Sequence, residues 1–350
     1  NMAPGGSPRR RIPSRAGDAL PGPERPRRGL GGAAVSRVRT TPYGDVTVPF
    51  ELQQVPGKPV YFVIGQEAVP DLENQGFTSN AGFVITEAGV LVYDALGTAA
   101  LGYLLLQEVR KLTFQPVRIV VVGHYHADHV YGLQAFREHT DAVIWAQERA
   151  WDYFDDPGYG ASEDPGRRLA QRREALSPWV DEDTYLVRPD CTFEDRKTLE
   201  LGGLHFRLIH RGPAHSPSDT VMVVEELGVV FSGDLIYTGR IPFMDNPAVD
   251  PSYWLEGLAY LERLRPRSDF VIPGHGRAFE DPRAGIEFTR EYIRYLREHM
   301  GEAVRDFVPF EQAYARTDWS RYRDLPAFEA TNRGNAYIVY LEMEDKLLAE

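Results

Sequence analysis

The sequence predicts an α/β protein with four layers, an αββα sandwich of two mixed β-sheets that pack face to face and are flanked by helices. Two observations predict this fold class. Runs rich in β-branched residues alternate along the chain with segments of helical periodicity. The pattern also occurs twice, since each half has antiparallel strands, then a helix, then a buried strand that ends in polar residues. Two such halves bury their apolar faces when sheet packs on sheet.

The first half of the pattern covers residues 50–146. Its clearest strand is a continuous β-branched run at Val117–Val122, which is typical of a strand buried on both faces. Its clearest helix has leucines at helical spacing. The predicted elements are strands at Phe50–Val55, Pro59–Gly65, Gly82–Thr86 and Val90–Asp94, a helix at Gly97–Leu112, the strand Val117–Val122, a helix at Val130–Glu138 and a strand at Ala142–Ala146.

An insertion near residues 147–183 separates the halves. It is aromatic, acidic and broken by Pro and Gly, which predicts short helices that either form a lid over a site or pack against the body. Its aromatic residues are Trp151, Tyr153, Phe154, Tyr159 and Trp179. The second half is predicted as strands at Thr184–Val187, Lys197–Leu201 and Leu204–His210, a hairpin of Val221–Glu225 with Val229–Ser232, a helix near Pro251–Leu264, a strand at Phe270–Pro273, a helix at Pro282–His299, and a tail at Leu325–Leu348 that is a helix or a helix plus a strand.

Charge separates the beginning of the chain from the rest. The 350 residues carry a formal net charge of −12. The first forty residues hold nine arginines and two acidic residues, a net +7, which leaves −19 on the remaining 310. A body this acidic repels phosphate backbones, so we expect no nucleic acid substrate.

Composition also defines the domains. Residues 1–44 are rich in Arg, Pro and Gly and lack apolar periodicity, which predicts a disordered basic segment or a basic arm for nucleic acid or membrane. Residues 45–350 are predicted to form one domain. No apolar run is long enough for a membrane span. The single cysteine, Cys191, excludes a disulfide framework and a Cys-rich zinc module.

The strongest chemical signal is the run His124-Tyr125-His126-Ala127-Asp128-His129, which has the pattern HxHxDH. It directly follows the buried strand, so its side chains lie at the strand's carboxyl end, where α/β proteins bind ligands. Imidazole and carboxylate groups suit a borderline divalent metal, zinc first. Alternation lets His124 and His126 serve one metal, whereas Asp128 and His129 begin a turn and point to a second.

Two metal sites need more ligands than this run provides. Three candidates lie at later transitions from strand to loop, beside small residues that allow close backbone approach. His215 lies in a loop between strands, Asp234 ends a strand, and His275 directly follows an apolar strand.

With these motifs in order, the chain resembles the metallo-β-lactamase-fold hydrolase superfamily over roughly Gly82–Gly276. The resemblance implies two zinc ions per chain and one metal-dependent domain. It assigns one zinc to His124, His126 and His215, the other to Asp128, His129 and His275, and Asp234 to both as a bridge.

Details point to particular branches of that superfamily. True β-lactamases of this fold have Cys or a non-ligand Ser where Asp234 stands, so the chain is more similar to glyoxalase II and lactonases. The HxHxDH run with its following residues, and Asn335-Ala336-Tyr337 in the tail, are similar to bacterial zinc hydrolases encoded beside sulfur-oxidation and quinoprotein systems. This implies a soluble bacterial protein, of cytoplasm or periplasm.

The resemblance implies a hydrolase in which a hydroxide bridging the metals cleaves an ester, lactone, thioester or amide of a small molecule. Asp128 is both ligand and orienter of the hydroxide. Asp94 is expected to fix a ligand histidine by a hydrogen bond from behind the site. Tyr237, as in lactonases, is expected to stabilise the oxyanion or leaving group, unless it only lines the pocket. Arg240 is a candidate partner for a substrate carboxylate, and a surface ion pair is its alternative.

Other functions stay open at this point. A mononuclear iron sulfur dioxygenase of the same fold, a β-lactamase-like activity and a non-enzymatic metal-binding module all use similar ligand motifs. The sequence identifies neither the substrate nor the oligomeric state.

Overall fold

The structure, a computed structural model, describes residues 37–155, 164–244, 248–265 and 267–349. Over these ranges it confirms the predicted fold class, with two large mixed sheets covered by helices. Most of the basic segment predicted as disordered, residues 1–36, lies outside the described residues. Its predicted end at residue 44 differs from the structure, because Arg39–Thr41 (β1) pairs with Gly44–Val46 (β2) in a hairpin closed by a bond from the Thr41 hydroxyl to the carbonyl of Gly44.

The first large sheet has seven strands whose spatial order is their order in the chain. Neighbouring strands are antiparallel from β3 to β6 and parallel from β6 to β9, so the last four strands end at one edge. The strands are β3 (Gln53–Gln54), β4 (Val60–Val63), β5 (Ala81–Thr86), β6 (Gly89–Tyr93), β7 (Val117–Val121), β8 (Val143–Gln147) and β9 (Cys191–Phe193).

The second large sheet has five strands, again in chain order. All neighbours are antiparallel except the last two, which are parallel. The strands are β10 (Arg196–Leu201), β11 (Leu204–Ile209), β12 (Val221–Val224), β13 (Val229–Tyr237) and β14 (Phe270–His275).

The helices lie where amphipathic segments and capping residues place them. Thr98, Asp250 and Asp281 each accept a hydrogen bond from a first-turn amide, and the last two are followed by a proline at the first helical position. The helices are α1 (Ala99–Leu112), α2 (Ala127–Val130), α3 (Leu133–His139), α4 (Ala150–Asp155), α5 (Pro165–Leu176), α6 (Pro251–Glu262), α7 (Pro282–Arg305), α8 (Phe310–Arg316) and α9 (Phe328–Ala349).

Three apolar clusters correspond to the three interfaces of a four-layer protein. The middle cluster joins the facing sides of the two sheets, with Phe62 and Leu91 from the first sheet and Phe206 and Phe231 from the second. A second cluster packs α1 and α3 on the outer side of the first sheet. A third packs α6, α7 and α9 on the outer side of the second sheet. Burial of these apolar side chains supplies most of the drive to fold.

Two element predictions were wrong in detail. The strand predicted at Phe50–Val55 is reduced to two residues. Thr184–Val187 is not a strand, because side chains of Gln134, Arg173 and Tyr125 bond the backbone of this segment in place of a neighbouring strand. For the tail, the first of the two predicted alternatives is confirmed, since α9 is its main element and no strand lies within residues 325–349.

Candidate metal centre

The HxHxDH run lies at the edge of the first sheet where the parallel strands end. After β7 the chain passes through Gly123, whose amide donates to Asp94 Oδ1 over 2.6 Å. His124 and His126 precede α2, whereas Asp128 and His129 belong to its only turn. The change from extended backbone to helix therefore directs the two pairs differently.

The second sheet contributes the other three predicted ligands. His215 lies between β11 and β12, Asp234 lies within β13, and His275 ends β14. The parallel pairing of β13 with β14 brings the last two together. The approach requires glycine at 274, because a Cβ there would stand 1.9 Å from Asp234 Oδ1.

Asp234 lies at the middle of the cluster. Its Oδ2 is 3.2 Å from Nε2 of His215 and 3.2 Å from Nε2 of His275, and its Oδ1 is 3.3 Å from His129 Nε2. One carboxylate thus contacts histidines from both sheets, as the bridging position implied by the resemblance requires.

The remaining ligands form one group on each side of Asp234. In the first, His215 Nε2 is 2.9 Å from His126 Nδ1, and the ring of His124 lies 4.5 Å from that of His126. In the second, Asp128 Oδ2 is 3.6 Å from His129 Nε2 and 3.3 Å from His275 Nε2. The ligand atoms within each group lie within 4.8 Å of one another. All seven predicted ligands are therefore brought together.

The donor atoms of this cluster fit a metal. Both ring nitrogens of His124, Nε2 of His129 and Oδ1 of Asp234 are buried without a hydrogen-bond partner among the described residues. Buried polar atoms without a partner cost free energy, so they call for one that the protein itself does not supply. Imidazole and carboxylate donors together suit a divalent cation such as zinc.

Metal binding requires neutral imidazole and ionised carboxylate, and the pKa shifts of His124, His126, His215 and Asp234 meet this requirement. Burial opposes protonation of His129 and of His275, but Asp234 raises the pKa of both, so these two rings would lose a proton when a metal binds. Burial lowers the pKa of His126 to about 4 and that of His215 to about 3, and lowers the pKa of His124 as well. Burial opposes ionisation of Asp234, but His275 and the other surrounding histidines hold its pKa well below the usual range. Ligand atoms are thus available on both kinds of side chain.

Three histidines are fixed through their other ring nitrogen. His129 Nδ1 donates to Asp94 Oδ2 over 2.8 Å, and Asp94 is fully buried in the left-handed region, with φ of +59°. His215 Nδ1 donates to the carbonyl of Phe243 over 3.0 Å, and His275 Nδ1 to that of Thr78 over 2.7 Å. These bonds leave Nε2 of each ring directed at the cluster.

Tyr237 and Arg240 line the same centre. The Tyr237 hydroxyl donates to Asp234 Oδ2 over 2.5 Å, and its ring stacks on His275 with centroids 4.9 Å apart. Burial raises the pKa of Tyr237 well above its usual value, and the nearby charge of Asp234 raises it further, so the phenol stays protonated. Arg240 is buried rather than in a surface ion pair; it donates to the carbonyls of Ala68 and Ile241 and lies over the Tyr237 ring.

A cavity of about 310 Å³ opens onto the cluster. Five of the ligands line it, His126, Asp128, His215, Asp234 and His275, together with Tyr237 and Arg240. Helix α5 of the insertion also lines it, with Arg168 and Arg172, which the sequence analysis did not single out. The sequence feature that could have identified these two arginines is their i, i+4 spacing, which places both on one helix face.

The insertion therefore covers the site with arginines and not with its aromatic residues. Tyr153 is buried and contacts Tyr125 and Phe154, while the Trp179 indole donates to the carbonyl of Asp45. None of the described aromatic residues of the insertion is among those that line the cavity. Tyr159 lies outside the described residues.

No helix in the described ranges is long and apolar enough to cross a bilayer.

Comparisons with known proteins agree with this geometry. The family model described as the metallo-beta-lactamase superfamily matches residues 74–275. A linear primary-alkylsulfatase from a Pseudomonas species is 25% identical over 236 residues, which are 60% of this chain and 43% of the relative, so the chain spans less than half of that protein. The hydroxyacylglutathione hydrolase GloC of Haemophilus influenzae is 25% identical over 49% of this chain and 74% of its own length.

Solved structures share the fold at lower identity. A stereoselective inverting sec-alkylsulfatase from a Pseudomonas species superimposes with a TM-score of 0.62 at 17% identity, covering 84% of this chain and 50% of its own. A metallo-beta-lactamase from Pontibacter korlensis gives a TM-score of 0.52 at 18% identity, over 70% of this chain and 99% of its own.

Proposed function

The chain belongs to the metallo-beta-lactamase superfamily and is a hydrolase of that superfamily, and we propose that it uses two zinc ions to cleave an ester, lactone, thioester or amide bond of a small molecule. The observation that carries the proposal is the convergence of seven His and Asp side chains, among which both ring nitrogens of His124, Nε2 of His129 and Oδ1 of Asp234 are buried without a hydrogen-bond partner in the described part of the chain. Two sheets supply the ligands, and a cavity reaches them from outside.

The predicted ligands form two groups, and we assign each group to one zinc ion. His124, His126 and His215 would hold one zinc, Asp128, His129 and His275 the other, and Asp234 would contact both. Zinc at such a site supplies Lewis acidity and lowers the pKa of water toward neutrality.

The chain's own groups then have distinct tasks. The Asp128 side chain is 15% exposed and the Asp234 side chain 2%, so Asp128 is the carboxylate that can accept a hydrogen bond from water in the cavity and orient it. Tyr237 stays protonated and donates from its hydroxyl, which suits stabilisation of negative charge on the substrate oxygen or leaving group.

The names of the relatives widen the list of bonds to test. One is named a hydroxyacylglutathione hydrolase, which acts on a thioester, and another an alkylsulfatase, which acts on a sulfate ester. We therefore propose a panel of thioesters, lactones, aryl esters, alkyl sulfates and phosphotriesters, with a chromogenic cephalosporin for β-lactamase activity.

The proposal is tested by metal analysis and by turnover of this panel on zinc-loaded protein. We expect two zinc ions per chain and saturable hydrolysis of one bond class. Asp128→Asn should lower kcat by a factor on the order of 10² or more, as loss of a group that positions the nucleophile does. The matched control is Asp141→Asn, a change at an exposed aspartate. One iron and no zinc per chain, or no turnover of any member of the panel, would refute the proposal.

A further inference from the structure

The charged residues that line the cavity divide sharply by position. Its two carboxylates, Asp128 and Asp234, both belong to the metal-ligand cluster. Among the described residues, the other charged side chains of the lining, histidine aside, are arginines: Arg168, Arg172 and Arg240. Three positive side chains around one cavity contrast with the net −19 of residues 41–350. Such a local reversal of charge attracts an anionic ligand to this cavity against the field of the body.

One face of α5 supplies two of these arginines. Arg168, Gln171, Arg172 and Ala175 all line the cavity, and their spacing of i, i+3, i+4 and i+7 places them on a single helix face. The face is therefore a built wall of the cavity, with guanidinium groups one helical turn apart.

A cap at the beginning of α5 stabilises the helix, and contacts with the body at its end hold this face in place. At the beginning, the Asp164 side chain accepts a hydrogen bond from the amide of Arg167. At the end, Leu176 is 1% exposed in the core cluster of the first sheet, and Arg173 donates to the carbonyls of Asp181 and Thr184. Because the helix is anchored, its backbone needs little further ordering when a ligand binds.

Arg240 is fixed more firmly still. It is 4% exposed, it donates to two backbone carbonyls, and its guanidinium carbon lies 5.7 Å above the centroid of the Tyr237 ring. Part of the cavity lining is apolar, with Val69, Pro70 and Phe243 among its members. The cavity thus offers positive charge together with a surface for hydrocarbon.

We propose that this cavity selects substrates that carry an anionic group separate from the bond that is cleaved, and that Arg168 and Arg172 of α5, with Arg240, recognise that group. A carboxylate, a sulfonate or a phosphate offers the paired oxygens that guanidinium binds in bidentate fashion. The inference rests on the proposed function, because it takes the metal-ligand cluster as the place of cleavage. The apolar lining would contact the chain that connects the two groups.

A binding experiment tests this without any turnover. The probe is hexane-1-sulfonate, whose weakly basic oxygens are poor zinc ligands, and the neutral comparison is hexyl methyl sulfone. Calorimetric titration of zinc-loaded protein at low salt should show binding of the sulfonate only. Arg168→Gln and Arg172→Gln should each raise Kd about tenfold, the loss typical of one charge-assisted contact. Glutamine keeps the helix propensity of α5, so the fold is preserved.

The control removes the same charge from the same helix. Arg167 is exposed and does not line the cavity, so Arg167→Gln should leave Kd within about twofold of the wild-type value. Arg168→Lys and Arg172→Lys keep the charge and should restore part of the affinity. Equal weakening in all three glutamine variants would mean that only net charge matters, and it would overturn the proposal.

Two further outcomes also decide. If sulfonate binding is unchanged in Arg168→Gln and Arg172→Gln, the anion binds at the metal cluster and the inference is refuted. If the neutral sulfone binds as tightly as the sulfonate, the cavity does not discriminate by charge, and the inference is refuted as well. If arginine-dependent binding is found but the panel of esters, thioesters and amides shows no turnover, the proposed function fails while the anion site stands.

Discussion

At the scale of single residues, the backbone segments that carry the predicted metal ligands are held in position by polar side chains that are not ligands themselves. Asn80 is 2% exposed; its Nδ2 donates to the carbonyls of Pro273 and Gly276, on either side of His275, and its Oδ1 accepts from the amide of Gly65. Its own amide also donates to the carbonyl of Gly274. One asparagine of the first sheet therefore holds the loop of the second sheet that carries His275.

We predict that Asn80→Ala destabilises the protein by about 3 kcal/mol, because it leaves buried partners of the side chain without a hydrogen bond. Zinc bound per chain should fall as well, since the loop that presents His275 is freed. Chemical denaturation and metal analysis measure the two effects. Gln54→Ala, which removes an exposed amide bonded to the carbonyl of Lys58, should change the free energy of unfolding by less than about 0.5 kcal/mol. Equal effects of the two changes would contradict the prediction.

Asp94 acts on the metal cluster through His129. It is buried, and its carboxylate accepts from both His129 Nδ1 and the Gly123 amide, so it fixes the ring and the backbone of the HxHxDH run at once. We predict that Asp94→Asn weakens zinc binding about 10- to 100-fold, the usual effect of losing a carboxylate behind a ligand histidine. Competition with a chromogenic chelator measures the affinity. Asp45→Asn, at an exposed position, is the control, and equal affinities in the two variants would refute this role.

The seven residues of the candidate metal centre could be located from the sequence because metal chemistry restricts residue types and because strand ends are recognisable. The roles of Asn80 and Asp219 could not. Asp219 accepts from the amide and hydroxyl of Ser216 and so shapes the loop of His215. Nothing in the local sequence distinguishes either side chain from an exposed turn residue, because burial depends on distant segments, and for Asn80 the bonded carbonyls of Pro273 and Gly276 are themselves distant.

At the scale of elements, the insertion shows that sequence periodicity does not reveal which face of a helix lines a cavity. Its aromatic residues predicted either a lid or packing against the body, and Tyr153, Phe154 and Trp179 follow the second alternative, because apolar side chains gain most by burial. The face of α5 that reaches the cavity is polar, with Arg168, Gln171 and Arg172. A polar face of a helix looks solvated in sequence, whether it faces bulk water or a cavity.

The contact between α1 and α3 depends on two glycines. A Cβ at Gly102 would lie 2.4 Å from the carbonyl oxygen of Gly132, and a Cβ at Gly132 would lie 1.7 Å from that of Ala95. No side chain fits between these backbones. The helix that follows the HxHxDH run can therefore approach α1 closely only because both positions lack a Cβ.

We predict that Gly102→Ala destabilises the protein by about 2 kcal/mol, because the clash with Gly132 outweighs the gain in helix propensity of about 1 kcal/mol. For a second helical glycine we expect the substitution to change the free energy of unfolding in the opposite direction. A Cβ at Gly257 in α6 would meet only Leu235, at 3.6 Å, so Gly257→Ala should stabilise by up to about 1 kcal/mol. Thermal and urea unfolding of both variants measure the difference, and a loss of stability in both would refute the comparison.

At the scale of the whole molecule, the metal-ligand cluster lies across the boundary between the sheets. Four ligands come from the end of β7 and from α2, and three come from the second sheet. The protein adds its own ties here: the Tyr93 hydroxyl donates to the carbonyl of Thr220, and the Thr220 amide donates to that of Gly123. Metal ions bound by both sheets would add strong links at the same place.

The overall layering was predictable because it follows from short-range alternation of strands and helices and from the need to bury apolar faces. The short strand β9 was not, since Cys191–Phe193 gains its place only by pairing with β8 after a long insertion. The pairing of strands that are distant in sequence depends on which sheet edge is free once the other strands have assembled, and local sequence does not show this.

The position of the cluster predicts that metal removal loosens the whole domain and not only the loops. A ligand that binds only the folded state adds about 4 kcal/mol at a thousandfold excess over Kd. For a chain of this size that corresponds to a fall in Tm on the order of 10 °C on chelation. Calorimetry with and without chelator measures it, and zinc should restore the original Tm. His215→Asn removes a ligand of the second sheet and should abolish most of the zinc-dependent rise, whereas His205→Asn, whose histidine side chain is 44% exposed, should keep it. A Tm that does not respond to chelation in the wild type would mean that the ligands do not connect the sheets through metal.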